Sequence, residues 1–158
     1  MFEFAGRIAG RAEVPAYLLL RFGFGVTLAT HGIPKLFGLP HGSMADPMGG
    51  AVHLIDSVLG LPFAPQIGVL IALLEGVGGA LLAVGFATRL LALAFVLQMV
   101  GICVALWPVY PWIDRGIEYP ILLGLVGLLI GARGAGPVAL DRFDRSASRT
   151  ERARLTGS

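Results

Sequence analysis

The chain has 158 residues, 56% of them apolar and only 14% charged, against roughly 45–50% and about 25% in a typical soluble domain. Its 12 Lys and Arg and 10 Asp and Glu leave a formal net charge of +2, and four segments making up half the chain carry only Arg21, Lys35, Glu75 and Glu118. Those numbers exclude a disordered chain, a secreted disulfide scaffold and a nucleic-acid-binding module, and indicate a single membrane domain.

The N-terminus carries acids among its bases, and its apolar run continues to helix length without a small-residue cleavage site. It therefore reads as a retained first span rather than a cleaved signal. That span covers 14–37, about 36 Å as helix, enough to cross a hydrocarbon core of roughly 30 Å with some tilt. In the loop 38–66, Gly38 to Ser43 has turn chemistry. Ala51, Val52, Leu54, Ile55, Val58 and Leu59 then recur at helical spacing, which predicts a short amphipathic helix lying on the outer face or capping the bundle mouth. The second span, 67–87, leads through a tight Thr88-Arg89 turn to the third, 90–107, which stops at Pro108; a fourth, shorter span covers 117–132. These segments are apolar all round, without the polar stripe of a soluble helix, so the medium outside them is lipid. The fold class is an all-α integral membrane four-helix bundle occupying 1–141, followed by a basic tail over 142–158.

Orientation follows the Lys and Arg residues in the short flanks. Arg7, Arg11, Arg89 and six arginines from Arg133 onward lie on one side, and Lys35 and Arg115 on the other. This predicts cytoplasmic termini, with Trp107, Tyr110 and Trp112 as an aromatic belt at the outer interface. Gly76, Gly79, Ala80 and Ala83 form a small-residue ridge on the second span, and Gly127 and Gly131 another on the fourth, for close helix approach in lipid. Arg142, Arg145, Arg149 and Arg152 would share one face of a helical tail and attract anionic lipid headgroups; a solvated tail that only sets topology explains them equally. Cys103, the single cysteine, excludes an internal disulfide, a CxxC pair and a thiolate zinc cage, and reads as a small hydrophobe.

An ionisable residue inside a span is costly and marks a candidate site. Arg21, His31 and Lys35 project from one face of the first span, Arg21 near the cytoplasmic end and the other two in the outer third. Glu75 lies about 12 Å inside the second span by rise per residue, Gln98 is near the middle of the third, and Glu118 opens the fourth at the outer surface. Two bases then face two acids in the outer half of the membrane. Pro34 frees the carbonyl of Thr30 beside them. Two readings stand open. Lys35 neutralises Glu75 or Glu118 as structural pairing, with His31 a neutral partner; or the cluster lines a cavity where His31 or Glu75 transfers protons or polar groups hold a quinone's carbonyls. No metal-ligand spacing, phosphate loop or nucleophile–base pattern is present.

At these residues the chain resembles the DoxX family of small four-span bacterial membrane proteins. Arg21 and Thr30-His31-Gly32-Ile33-Pro34-Lys35-Leu36-Phe37-Gly38 resemble its first helix, and Leu59-Gly60-Leu61-Pro62 its entry to the second. Glu75-Gly76, Gly78-Gly79 and Gly85 through Arg89 resemble its Glu-x-x-Gly-Gly…Thr-Arg block, and Glu118-Tyr119-Pro120 and Gly134 through Asp141 its last helix. Pro137 departs from the family's closing Gly-x-Gly-x-x-Ser-Leu-Asp. The resemblance implies a bacterial inner-membrane accessory or scaffold subunit in redox or sulfur metabolism and oxidative-stress defence, holding soluble redox enzymes at the bilayer. An alternative it leaves is a quinone-binding oxidoreductase subunit of the thiosulfate:quinone type, and the polar cluster, read as a midplane site, leaves a small-molecule or lipid transporter. No covalently bound cofactor is expected; quinone, lipid, soluble enzymes and further copies of the chain are the expected partners.

Overall fold

The computed structural model describes residues 2–141, the side chains from Ala12 onward together with Gly10; the basic tail with Arg142, Arg145, Arg149 and Arg152 lies outside them. Helix α1 runs over Phe2–Phe37, beginning twelve residues before the apolar onset from which the first span was read. Ala, Arg and Glu favour helix irrespective of lipid, and Pro15 interrupts only one hydrogen bond. Helix α2, Pro47–His53, starts at a strong signal: Asp46 accepts from the N–H of Gly49 at 2.8 Å and Pro47 occupies the first turn. It runs into a π turn over Leu54–Val58.

The next long helix is built from α3 (Ala64–Leu73), a π turn (Leu74–Gly78) and α4 (Gly79–Val84). Helix α5 covers Thr88–Leu106 and α6 covers Glu118–Arg133. Three stretches, Ala12–Phe37, Ala64–Val84 and Thr88–Leu106, are long and apolar enough to cross a membrane. Helix α6 has 16 residues, about 24 Å of helix, and packs along α5.

Helix α1 lies against α3 and α4, and α5 against α6, so the bundle is two antiparallel pairs joined by the α4–α5 turn. The contact of α1 with α3 and α4 runs over glycine. A Cβ on Gly32 would lie 2.1 Å from the Gly76 nitrogen, and one on Gly25 would lie 2.5 Å from the Gly79 oxygen. The ridge read on the second span thus meets a matching pair on α1, seven residues apart, and the two backbones touch. Gly127 instead makes room for a side chain, with Val96 Cγ2 of α5 3.0 Å from where its Cβ would lie.

Tyr17, Phe24, Leu28, Leu82, Ala92, Phe95, Met99 and Ile130 fill the centre, with Phe24 and Phe95 edge to face at 6.0 Å and 88°. Outside that core, Leu90, Leu93, Leu97, Val100 and Val104 form an exposed apolar stripe along α5. A helix apolar on both its buried and its exposed face belongs in lipid.

The α2 segment packs its apolar side on the bundle and leaves His53, Asp56 and Ser57 exposed. Val52 packs against Gly68 of α3 and Ile55 is buried, while Val58, assigned to the same apolar face, is half exposed. The π turn adds a residue to the turn and rotates the later positions away from the core. Arg115 donates to the Ser43 hydroxyl at 2.9 Å and ties the 38–46 loop to the 107–117 loop. Exposed Trp107, Tyr110 and Trp112 gather at this loop end of the bundle.

Gly32→Ala should force α1 and α3 apart, because its Cβ would strike backbone rather than a side-chain tip. The expected loss is about 1–3 kcal/mol, read as a fall in Tm in lipid nanodiscs. Gly23→Ala, where a Cβ meets nothing within 4 Å, should lose nothing and serves as the control.

Candidate functional site

Glu75 sits in the π turn of Leu74–Gly78, buried to 4% exposure. Both of its oxygens are taken. Lys35 Nζ donates to Oε2 at 2.5 Å from the last turn of α1, and Gln98 Nε2 donates to Oε1 at 2.5 Å from α5. Three helices therefore meet on one carboxylate. The charge is neutralised, as a medium without water requires. The approach of Lys35 depends on the Gly32–Gly76 contact one turn away, and the inward direction of Glu75 on the local π geometry. Gln98 Oε1 is buried and has no hydrogen-bond partner.

His31 lies one turn before Lys35 on α1. Its Nδ1 bonds the Thr27 carbonyl at 2.8 Å, an oxygen that also accepts from the Thr30 hydroxyl at 2.7 Å. Its ring faces that of His41, with centroids 4.7 Å apart and planes at 56°. His41 was not among the residues singled out from the sequence. It sits in a turn-forming loop with no periodicity to mark it.

Two predicted members lie elsewhere. Glu118 is exposed and accepts from the backbone N–H of Trp112 at 3.1 Å, closing the loop that leads into α6. Arg21 is at the opposite end of the bundle, 4% exposed, with its guanidinium on backbone carbonyls. It donates to Ala83 at 3.3 Å, to Val138 at 3.1 Å and to Ala135. Arg21 and Lys35 share a helix face, but fourteen residues of rise, about 21 Å, separate them.

Around Arg21 is a second polar layer that sequence reasoning passed over. Tyr17 donates to the Gly134 carbonyl, Arg133 covers the Tyr17 ring at 4.7 Å, and Arg133 pairs with Glu13 at 2.5 Å. Asp141 accepts from the N–H groups of Ala87 at 2.7 Å and Thr88 at 3.1 Å, capping α5 from a remote part of the chain. Gly85 closes α4 with φ of 79° in a Schellman turn, Gly85 N–H bonding Leu82 and Phe86 N–H bonding Leu81. A Cβ there would also strike Ala139 at 2.7 Å.

The fold and these two layers define a multi-pass α-helical membrane protein with an ion pair shared between its helices. The DoxX profile matches residues 16–107, and the chain belongs to the DoxX family. It is 30% identical over 126 residues, 80% of this chain and 84% of its relative, to a Bacillus subtilis (strain 168) protein named "Putative oxidoreductase CatD". No solved structure matches the chain.

Removing one partner of the buried pair should cost far more than removing both. Lys35→Met is expected to lose about 3–5 kcal/mol, and Lys35→Met with Glu75→Met to recover most of it. A double-mutant cycle on unfolding in nanodiscs measures this; simple additivity of the two single losses would mean that the pair does not couple α1 to α3–α4.

Proposed function

We propose that this chain is a membrane-embedded accessory subunit of a redox system, holding soluble redox enzymes at the bilayer. All four long helices span the membrane in this reading, α6 among them, with both termini cytoplasmic. The observation that carries it is that each buried charge is engaged within the chain. Lys35 is spent on Glu75, Glu75 on Lys35 and Gln98, and Arg21 on three carbonyls. Such groups hold helices in register and leave the interior to packing, as an anchor requires. The oxidoreductase named among its relatives supports a redox setting, and the basic tail supplies a cytoplasmic surface that enzymes or anionic headgroups can meet.

One observation favours a second reading, a quinone-facing subunit. Gln98 Oε1 is a buried acceptor without a donor, and Lys35 Nζ has N–H groups beyond the one on Glu75. Those residues fit a quinone head in kind: Lys35 donates to a carbonyl, and Gln98 Oε1 accepts from the hydroxyl of the reduced form. A bound quinone would supply two-electron, two-proton acceptor chemistry to a partner enzyme. Within the chain, Glu75 would hold or release a proton at its carboxylate while Lys35 and Gln98 fix its position.

Two experiments test these readings. In a Cys103→Ser background, Ser43→Cys in intact cells should react with a membrane-impermeant maleimide, and Arg89→Cys only after lysis; the reverse pattern would invert the topology. Purification in native-lipid nanodiscs with mass spectrometry of bound proteins and quinones should return soluble redox enzymes at fixed stoichiometry. Stoichiometric quinone in the wild type, lost in the Lys35→Met, Glu75→Met double variant that keeps most of its stability, would instead establish the second reading. Recovery of neither would remove the redox assignment.

A further inference from the structure

The pair His31–His41 belongs to neither polar layer. All three of the chain's histidines lie between Thr30 and Ile55, and two of them meet at the loop end of the bundle. His31 spends Nδ1 on the Thr27 carbonyl. With Nδ1 donating, the tautomer is set and Nε2 keeps an outward lone pair, the arrangement that a backbone carbonyl imposes on metal-bound imidazoles. The His41 ring makes no hydrogen bond among the described residues; its recorded contact is with the His31 ring.

A third donor is set by the backbone. His41 and Met44 exchange both of their N–H···O bonds, at 2.9 and 3.0 Å, as an antiparallel bridged pair. Residues so paired project their side chains to the same face, Cβ atoms about 4.5–5.5 Å apart. The Met44 side chain thus leaves the bridge on the same face as that of His41, whose ring lies against His31 of α1, and all three residues are half buried.

We infer that His31, His41 and Met44 form a copper(I) site at the loop end of the bundle. Two imidazoles on one ion, with metal–nitrogen bonds of about 2.0–2.1 Å, hold their centroids roughly 4.5–5.5 Å apart across trigonal and bent geometries. The separation of 4.7 Å lies at the bent end of that range, an N–metal–N angle of about 95° with bonds of that length. The donor set selects the ion. Two neutral nitrogens and a thioether, with no carboxylate, suit a soft monovalent cation; magnesium, calcium and manganese require oxygen ligands. Lys35, one turn along α1, is neutralised by Glu75 and so opposes a single added charge only weakly. Among the described residues no three His, Cys, Asp or Glu side chains converge, so the methionine is what completes the site.

The test uses the full chain in nanodiscs, titrated anaerobically with Cu(I) against bicinchoninate as a coloured competitor. Wild type should withdraw one equivalent. His41→Ala should bind at least tenfold more weakly while keeping its Tm, because that ring carries no hydrogen bond; Met44→Leu should also weaken tenfold or more. His53→Ala and Cys103→Ser should match wild type. X-ray absorption at the copper edge should show two nitrogens and one sulfur. Absence of uptake, uptake unchanged in His41→Ala, uptake lost in Cys103→Ser, or a copper shell without sulfur would each overturn the site.

Discussion

One carboxylate in a medium without water sets the terms for this bundle. Glu75 cannot remain charged within the apolar interior unless a cation and a hydrogen-bond donor reach it, and these come from two other helices. Lys35 reaches it from one turn beyond the point where α1 meets the second long helix in backbone contact, which Gly32 and Gly76 permit and a single Cβ would prevent. The π turn at Leu74–Gly78 belongs to the same constraint: it aims Glu75 inward at the level of Lys35 and Gln98. Charge, helix separation and backbone irregularity are one solution to one problem.

The far end of the bundle solves a different problem with the same economy of charge. There the unsatisfied groups belong to the backbone, where α4 stops, α5 starts and the chain leaves α6. Arg21 takes carbonyls from two of those segments and Asp141 takes the first N–H groups of α5, so the segment after α6 folds back beneath the turn and is held there. Polar side chains therefore concentrate in two layers, with an apolar middle between them in which Phe24 and Phe95 pack edge to face. Lipid supplies no hydrophobic force between helices, so these layers and the glycine contacts hold the bundle together.

The proposed function follows the same division. In that proposal soluble partners attach at the turn end, clasped by Arg21 and Asp141 and followed by the basic tail. The loop end carries the histidines, the methionines of the α1–α3 connection and the buried Glu75 network, and is where small ligands or ions would be handled. Membership of the DoxX family gives this architecture a membrane setting.

Much of this was legible in the residues themselves. Apolar run length and the rarity of charge were enough for long membrane helices, and the helical spacing of Ala51, Val52, Leu54, Ile55, Val58 and Leu59 marked the loop helix. Arg21, His31, Lys35, Glu75, Gln98 and Glu118 were visible as expensive residues in apolar surroundings. Their heights were legible too, Arg21 near one end and His31 and Lys35 near the other, but a helical wheel does not give the identity of the neighbour. Which of two acids Lys35 meets was therefore open, and Glu118 serves its own loop while Glu75 takes Lys35. His41 and Asp141 were hidden for a related reason: each acts on a residue far from it in sequence, through a loop with no periodicity. The sequence by itself determined the medium, the helices and the cost of each buried charge. Which charge met which partner was decided only by the tertiary structure, because it turned on how closely Gly32 and Gly76 let two backbones approach.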